Sequence, residues 1–374
     1  MISIGGFSLI RTEALMTAAN IAIENDRRVL PFDFLRGIAI IGVIAIHAVS
    51  RFPTMSSTLN RVVNLGHFGV QLFFMVSAMT MCHMWDIREG ENFRTLKFYI
   101  RRMMRIAPMF WLAIPVYLLI NGTEPGYWAP QGISARQIVL TATFMHGFWP
   151  DSFNAVVPGG WSIAVEMTFY LVFPFIISRT RNQYGFLWLA AGAYFLNALA
   201  IAPATTLFFN DHYHVAGSIL IANFLYYNFF NQLPIFFLGM AIYHKGLHGE
   251  KIIIAWILTS LLLAYTKTIS HQSFYFVLAI ITMYYSSAFA IKKSLHNAAI
   301  NELGRNSYVI YLSHFIIMNI IGHALRLLPR LDNVAFVFAI VSTTALGYLV
   351  SRLAAITIDS GSHALTRKWI NALG

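Results

Sequence analysis

Long apolar segments, separated by short stretches rich in charged residues, dominate this sequence. A helix that crosses a lipid bilayer needs about 20 mostly apolar residues. Ten segments come close to this length or reach it, which predicts an all-α fold: a polytopic membrane protein built as a bundle of about 10 transmembrane helices. The predicted spans are 35–52, 66–84, 106–121, 161–178, 185–202, 226–244, 252–267, 273–290, 306–325 and 334–356.

These spans divide the chain into three predicted parts. Residues 1–30 are expected to form a cytoplasmic N-terminal tail, 31–356 a membrane-embedded domain and 357–374 a cytoplasmic C-terminal tail. The stretch 122–160 contains a Pro/Gly-rich loop and an apolar run that is too short to span. A second predicted loop, 203–225, is polar and contains histidine.

Composition supports the membrane assignment. Hydrophobic residues make up 57% of the chain and charged residues 11%, whereas a soluble domain is about a quarter charged. The single cysteine, Cys82, excludes a disulfide framework and a cysteine metal cluster. The net charge of +11 does not indicate nucleic-acid binding, because the basic residues lie between apolar segments and not on one patch.

The distribution of lysine and arginine predicts the orientation of the chain. Positive residues collect on the cytoplasmic side of membrane proteins. If the N-terminus is placed inside, 20 of the 26 basic residues fall inside as well. Both termini are therefore expected in the cytoplasm, with the 122–160 and 203–225 loops outside. The six basic residues that fall outside are Arg51, Arg61, Arg136, Lys267, Arg326 and Arg330.

Arg36 and His47 place a fixed cation and an imidazole on the first predicted span. They are eleven residues apart, about 16 Å along a helix, and lie on roughly the same face. Arg36 is expected at the cytoplasmic edge and His47 in the outer half. Such residues are often only a topology signal and an interfacial side chain. Polar residues inside a span nevertheless raise a functional hypothesis that requires partners.

One candidate partner is Glu166, whose estimated depth in its span matches that of His47. Ser162, Glu166 and Tyr170 recur every four residues and share one helix face. A carboxylate beside an imidazole would fix its tautomer and raise its basicity, as a general base requires. The alternative is a carboxylate that is merely bonded to a neighbouring helix.

A second candidate cluster is basic. Arg102 and Arg105 are three residues apart and precede Pro108. Two explanations of this pair stay open. The arginines can mark the cytoplasmic side of the span, or they can bind phosphate, since guanidinium groups bind phosphate oxygens bidentately. Ser77 and Ala78 form a small-residue position in the second span, which packing alone would also explain.

A third cluster consists of Ser307, Tyr311 and His314, which follow i, i+4, i+7 spacing on one face. His314 is expected near the middle of the membrane, either as a structural or as a reactive side chain. The sequence contains neither HExxH nor GxxxxGK[ST] nor GxSxG. We therefore expect no metal site and place any chemistry within the membrane.

Six short motifs, in order along nearly all of 31–356, resemble those of the acyltransferase-3 family, the O-acetylases of bacterial surface polysaccharides. The first is an arginine followed by ten residues and a histidine, matched by Arg36 and His47. The other matches are FFMVSAM at 73–79, R-x-x-R-x-x-P at Arg102, Arg105 and Pro108, W-S-x-x-x-E at Trp161, Ser162 and Glu166, FFLG at 236–239, and LGRNSYVIYLSH at 303–314.

Two positions depart from the family pattern. Ala78 stands where the family has a glycine, which questions a close approach of helices at that point. The family often ends with an E-x-P element after the last span, whereas this chain has ITIDSGSHALTRKW with Asp359. The chain resembles the stand-alone type of the family, without a fused periplasmic domain.

The resemblance implies transfer of an acyl group, most often acetyl, from cytoplasmic acetyl-CoA or another acyl-CoA to a sugar hydroxyl. The acceptor would be a carbohydrate on the outer side of the bacterial inner membrane, and no cofactor would be permanently bound. Arg36, Arg102 and Arg105 would bind the donor. His47 would deprotonate the acceptor or carry the acyl group, oriented by Glu166. Other substrate-binding or site-shaping residues would be Ser77, Trp161, Ser162, Tyr170, Tyr311 and His314.

Two readings from other classes stay open at this point. One is a multi-spanning transporter or flippase of a lipid-linked sugar or small anionic solute. Such folds often contain paired inverted halves, and no internal repeat is visible here. The other is a non-catalytic membrane scaffold, which leaves the placement of Arg36, His47 and Glu166 unexplained. Consumption of a thioester separates an acyltransferase from a transporter.

Overall fold

The computed structural model describes residues 31–52, 57–210, 217–244, 249–325 and 332–373, and within them the chain is helical without a β-strand. The predicted N-terminal tail lies outside the described residues. The helices are α1 (Pro31–Arg51), α2 (Ser57–Asn64), α3 (Gly69–Asp86), α4 (Arg94–Asn121), α5 (Ala135–Ala142), α6 (Gly160–Arg179), α7 (Gln183–Leu196), α8 (Ala202–Asn210), α9 (Gly217–Tyr227), α10 (Phe229–Tyr243), α11 (Glu250–Tyr265), α12 (His271–Lys292), α13 (Ala298–Arg305), α14 (Ser307–Leu325), α15 (Asp332–Ala354) and α16 (Ser360–Ala372).

The described residues contain eight helical stretches that are long and apolar enough to cross a membrane. This confirms an all-α, multi-pass membrane protein. Two further predicted spans form α10 and α11, which have 15 and 16 residues. The count of about ten therefore stays a prediction. The eight stretches are Pro31–Arg51, Thr58–Asp86, Arg94–Asn121, Gly160–Arg179, Gln183–Asn210, His271–Lys292, Ser307–Ala324 and Val334–Ala372.

The described residues are helical in two regions where the sequence predicted no helix. A π-helical turn at Asn197–Ile201 joins α7 to α8, and α9 follows within the predicted 203–225 loop. The prediction of a loop was wrong for the described residues there. A polar side chain within a helix can donate a hydrogen bond to a backbone carbonyl one turn earlier, as the hydroxyl of Thr206 does to the carbonyl oxygen of Ala202. Polar residues alone therefore do not end a helix.

The predicted C-terminal tail is also helical. A π-helical turn at Ala355–Asp359 joins α15 to α16, and α16 packs against α4. The segment that replaces the E-x-P element is thus part of one continuous helical stretch. Its position on the cytoplasmic side stays a prediction.

α10 lies deep in the bundle and packs against α3 and α7. Its close approach to α3 occurs at Gly239. A Cβ atom on this glycine would lie 2.3 Å from the carbonyl oxygen of Met75 and 3.0 Å from the Cβ of Ala78. Small residues permit such contacts between membrane helices. The close packing questioned by Ala78 is therefore present, because the facing helix supplies the glycine.

A second close approach fixes α1 beside the start of the α3 region. A Cβ on Gly66 would lie 2.3 Å from the carbonyl oxygen of Gly42, and a Cβ on Gly69 would lie 2.8 Å from that of Ala39. These contacts hold α1 against the α3 region from one side. The polar residues of α1 are thereby brought to the same interior as those of α3.

We expect Gly239→Ala to lower the free energy of unfolding by about 1–3 kcal/mol, because overpacking forces side chains or backbone to shift. Thermal unfolding of the purified protein measures this change. Gly192→Ala is the matched control: this glycine also lies in a helix, but no neighbouring atom lies within 4 Å of its Cβ position. Equal stability of the two variants would contradict the proposed close contact.

Candidate active site

A cavity lies between α1, α3, α4, α6 and α14, and its free space of about 660 Å³ includes the part that opens to the surroundings. It collects most of the side chains that the sequence singled out, although they come from five helices far apart in the chain. Their clustering is a property of the structure, and their chemical roles stay predictions. The predicted residues that line this main cavity are Arg36, Ser77, Arg102, Arg105, Ser162, Glu166, Tyr170, Ser307 and Tyr311.

Arg36 is held in place by partners on two helices. Its Nη1 donates to Oδ1 of Asp33 at 3.0 Å, and its Nη2 donates to the hydroxyl of Thr80 on α3. Asp33 also accepts a hydrogen bond from Nε of Arg305 at 3.3 Å. Sequence reasoning did not single out Asp33 or Thr80, although the i, i+3 spacing of Asp33 and Arg36 is a signal for a pair on one helix face.

Arg102 and Arg105 differ from Arg36 in having no salt bridge within the described residues. Arg102 is only 7% exposed, and its Nε is buried without a hydrogen-bond partner. Its guanidinium carbon lies 5.9 Å from the ring centre of Tyr170. Arg105 is accessible at the surface. Two positive charges therefore face the main cavity without a neutralising carboxylate in contact.

The neighbouring Arg101, on the same helix, has a carboxylate partner that neutralises its charge. Both of its terminal nitrogens donate to the carboxylate of Glu91, one of them at 2.9 Å. These hydrogen bonds lower the pKa of Glu91 and keep the carboxylate ionised. Arg102, one residue further along α4, has no such carboxylate partner among the described residues.

Glu166 is fixed by two hydroxyl groups in the main cavity. Ser77 on α3 donates to its Oε1 at 2.5 Å, and Tyr170, one turn further along α6, donates to the same oxygen. The hydroxyls of Ser77 and Tyr170 are 3.2 Å apart. Bonds to charged acceptors are stronger than neutral ones, so this carboxylate joins α3 to α6.

The expected pairing of Glu166 with His47 is absent from the hydrogen bonds of the described residues. Ser162 on α6 donates a hydrogen bond to Tyr311 on α14. From this contact, Glu166 lies one turn along α6 towards one end of the bundle, and His314 lies one turn along α14 towards the other end. Glu166 and the histidines are thus separated by about 10 Å along the bundle, at 1.5 Å per residue. Depth estimated from the ends of separate helices could not show this, because it ignores how the helices are offset.

His47 has a different neighbour, His314. Their ring centres are 5.3 Å apart, and the ring of Phe315 lies 4.5 Å from that of His47. His314 is fully buried; its Nδ1 lies 2.5 Å from the carbonyl oxygen of Tyr311, while its Nε2 has no hydrogen-bond partner. The two imidazoles form a pair beyond the residues that line the main cavity.

Tyr311 connects this histidine pair to the main cavity. Its hydroxyl donates to the carbonyl oxygen of Gly159 at 3.0 Å and accepts from the hydroxyl of Ser162 at 3.0 Å. Its ring centre is 5.5 Å from that of His314. Along the interior, the order is therefore arginines, Glu166, Tyr311 and then the histidines.

Trp161 does not line the main cavity. It is 7% exposed and packs between Phe74, at 5.8 Å, and Tyr227, at 4.4 Å, measured between ring centres. Because Trp161 is buried and lies outside the lining of the main cavity, we assign it the site-shaping role and not the substrate-binding one. Trp161 supports the start of α6 and thereby shapes the site.

Sequence reasoning missed Tyr308. It lines the main cavity at the start of α14, beside Ser307, which the sequence had singled out. The Tyr308 hydroxyl donates to the carbonyl oxygen of Ile106 at 2.7 Å and so connects α14 to the arginine-bearing helix α4. Both residues lie within the LGRNSYVIYLSH motif, which was the available signal.

Comparisons with known proteins show which sequences this chain resembles. Residues 30–352 match the sequence model of a family described as an acyltransferase domain. The exopolysaccharide production protein ExoZ of Rhizobium meliloti (strain 1021) is 28% identical over 120 residues, which cover 32% of this chain and 36% of ExoZ.

Two further relatives carry names that state an acyl-transfer activity. O-acetyltransferase OatA of Staphylococcus aureus (strain NCTC 8325 / PS 47) is 28% identical over 174 residues, covering 42% of this chain and 26% of OatA. Acyltransferase MdmB of Streptomyces mycarofaciens is 28% identical over 174 residues, covering 42% of each chain. The matches thus span less than half the length of these relatives. No solved structure is significantly similar to the chain.

We expect Arg102→Met to raise the thermal unfolding temperature of the unliganded protein. The variant removes a buried charge without a counter-ion, a change on the order of 1–4 kcal/mol when apolar side chains replace buried ionic groups. Arg101→Met is the control, because it breaks the contact with Glu91 and should not stabilise. A lower unfolding temperature for Arg102→Met would show that the charge is compensated.

Proposed function

Because this chain belongs to the acyltransferase-3 family, we propose that it transfers an acyl group, acetyl in the simplest case, from cytoplasmic acyl-CoA to a sugar hydroxyl. The acceptor is a cell-surface or lipid-linked polysaccharide on the outer side of the bacterial inner membrane. The observation that carries the proposal is the main cavity, in which two arginines without carboxylate partners face a row of hydroxyl groups between membrane helices.

The arginine end of the main cavity receives the donor. Acyl-CoA carries phosphates at the end remote from its thioester, and guanidinium groups bind phosphate oxygens with paired hydrogen bonds. Arg102 and Arg105 have no salt bridge with a described residue, so their guanidinium groups are available to bind phosphate. Arg36, in contrast, already donates hydrogen bonds to Asp33 and Thr80. We therefore assign phosphate binding to Arg102 and Arg105, and to Arg36 the task of holding the wall of the site.

The thioester extends past Glu166 towards Tyr311. Glu166 accepts hydrogen bonds from Ser77 and Tyr170, which fixes the three side chains as a rigid polar surface beside the acyl group. Rigid polar groups reduce the reorganisation that a reaction requires. Glu166 thus acts on the donor side in this proposal and not as the partner of His47.

His47 acts on the acceptor. The imidazole removes the proton from the sugar hydroxyl, the hydroxyl oxygen forms a bond to the acyl carbon and the carbon–sulfur bond breaks. The leaving thiolate takes up a proton and departs as CoA. Attack of His47 itself on the thioester, followed by transfer to the sugar, gives the same products. His314 contacts His47 from the side of the main cavity and holds its ring in place.

We expect His47→Asn to abolish the release of thiol from acetyl-CoA, because the amide can neither accept this proton nor carry the acyl group. The measurement uses the protein in nanodiscs with surface polysaccharide as acceptor. His323→Asn is the control: this exposed histidine on α14 hydrogen-bonds the carbonyl of Asn319 and no other described residue, and the variant should retain wild-type release.

Thiol release that persists in His47→Asn would remove His47 from the reaction. Absence of release from the wild-type protein, with normal folding, would favour the transporter alternative. Retained acetylation of the polysaccharide in cells that lack the gene would lead to the same conclusion.

The orientation of the chain is part of this proposal, because the donor is cytoplasmic. We expect a reporter fused after Gly374 to be cytoplasmic, and one inserted in the 122–134 loop, for example after Gly132, to be periplasmic. A periplasmic signal at the C-terminus would place Arg102 and Arg105 on the wrong side of the membrane for acyl-CoA.

A further inference from the structure

A second cavity adjoins the main one and shares Arg102 with it. It lies between the end of α3 and the start of α4, and its free space of about 240 Å³ includes the part that opens to the surroundings. Four of the seven residues that line it are arginines, namely Arg88, Arg94, Arg101 and Arg102, and the other three carry no charge. The second cavity is therefore a strongly positive extension of the donor site.

Most of this positive charge is not neutralised by contact. Arg101 is paired with Glu91, but neither Arg88 nor Arg94 forms a salt bridge with a described residue. Arg88 donates to the carbonyl oxygen of Met84 at 3.0 Å. Such bonds fix the direction of a guanidinium without cancelling its charge.

Packing against other protein groups, and not only contact with water at the membrane surface, fixes the side chains of Arg94 and Arg102. The guanidinium carbon of Arg94 lies 4.0 Å from the ring centre of Trp85, and Arg94 also donates to the Trp85 carbonyl oxygen. The Nε atoms of Arg94 and Arg102 are both buried without hydrogen-bond partners. Arginines that only mark topology extend into water, whereas these two are packed inward.

The start of α4 adds a further positive potential. The helix begins at Arg94, and its first turn contains no acidic residue. The N-terminal end of a helix carries a partial positive charge that favours anions and disfavours cations. Arginine at this position is locally unfavourable, and such local conflicts are expected at functional sites.

We propose that the second cavity binds the phosphate group at the nucleotide end of acyl-CoA, the 3′-phosphate, while the diphosphate lies at Arg102 and Arg105. This inference rests on the proposed function. Arg94 and Arg105 are eleven residues apart on α4, about 16 Å at 1.5 Å per residue, a separation on the scale of a nucleotide. Arg88 and Arg94 are the additional binding residues.

A phosphate at a membrane surface can also come from an anionic lipid headgroup. The structure favours the donor, because Arg102 lines both cavities and a single extended ligand would therefore contact both. The lipid is tested as the alternative source.

The test compares the binding of acetyl-CoA with that of 3′-dephospho-acetyl-CoA to the full chain in phosphatidylcholine nanodiscs. The wild-type protein should bind acetyl-CoA about tenfold more tightly or better, since a hydrogen-bonded charge pair typically contributes this much. Arg88→Gln and Arg94→Gln should lose most of this preference and retain the affinity for the dephospho compound. Arg105→Gln should weaken both ligands equally.

Three controls separate lost binding from lost folding. Arg179→Gln removes an exposed arginine that lines neither cavity and should bind like the wild type. Arg88→Lys and Arg94→Lys keep the charge and should retain part of the preference for acetyl-CoA. Unchanged affinity of Arg88→Gln and Arg94→Gln for the dephospho compound shows that they are folded.

Equal affinity of the wild-type protein for both compounds would overturn the phosphate assignment and leave the proposed function intact. Binding of neither compound would instead refute the proposed function, and the inference with it. The last comparison uses nanodiscs that contain phosphatidylglycerol. If the wild-type protein there prefers acetyl-CoA over the dephospho compound no more than Arg88→Gln does, the second cavity binds a lipid phosphate, and its assignment to the donor is overturned.

Discussion

The burial of Arg102 without a carboxylate partner is the constraint around which the interior of this protein is built. A charge removed from water is costly unless another charge or a set of hydrogen bonds compensates it. Here the Nε of Arg102 has no hydrogen-bond partner among the described residues, and the ring centres of Phe98 and Tyr170 lie 5.7 and 5.9 Å from its guanidinium carbon. The helices around it must therefore be stable enough to hold the charge in place, and in the proposed function a phosphate of the donor offsets this cost.

The neutralised charges nearby provide this stability. Asp33 accepts bonds from Arg36 and Arg305, and Glu302 bonds Arg305 and lies 3.7 Å from Arg352. These contacts join α1, α13 and α15 at the end of the bundle where the arginine end of the main cavity lies. Among the described residues, paired charges thus surround this end of the bundle, and Arg102 and Arg105, which have no salt bridge, face the main cavity.

Much of this arrangement could be predicted from the sequence. The length of an apolar segment predicts a transmembrane span, and the spacing within a short motif predicts which side chains share a helix face. Ser77, Glu166 and Tyr170 were all singled out, and they do meet. Their bonding to each other, and the contact of His47 with His314, could not be predicted. Periodicity describes one helix at a time, whereas these contacts depend on the offset between helices. For the same reason, the sequence could not show which arginines of α4 have partners.

The contact between Gly239 and Ala78 shows that a motif position can be misjudged when it is read alone. A Cβ on Gly239 would lie 2.3 Å from the backbone carbonyl oxygen of Met75, whatever residue stands at position 78. The glycine that the close approach requires is therefore the one on α10, while position 78 has only to stay small. In related sequences we expect position 239 to vary less than position 78, and a search that requires a glycine at position 78 would overlook distant members of the family.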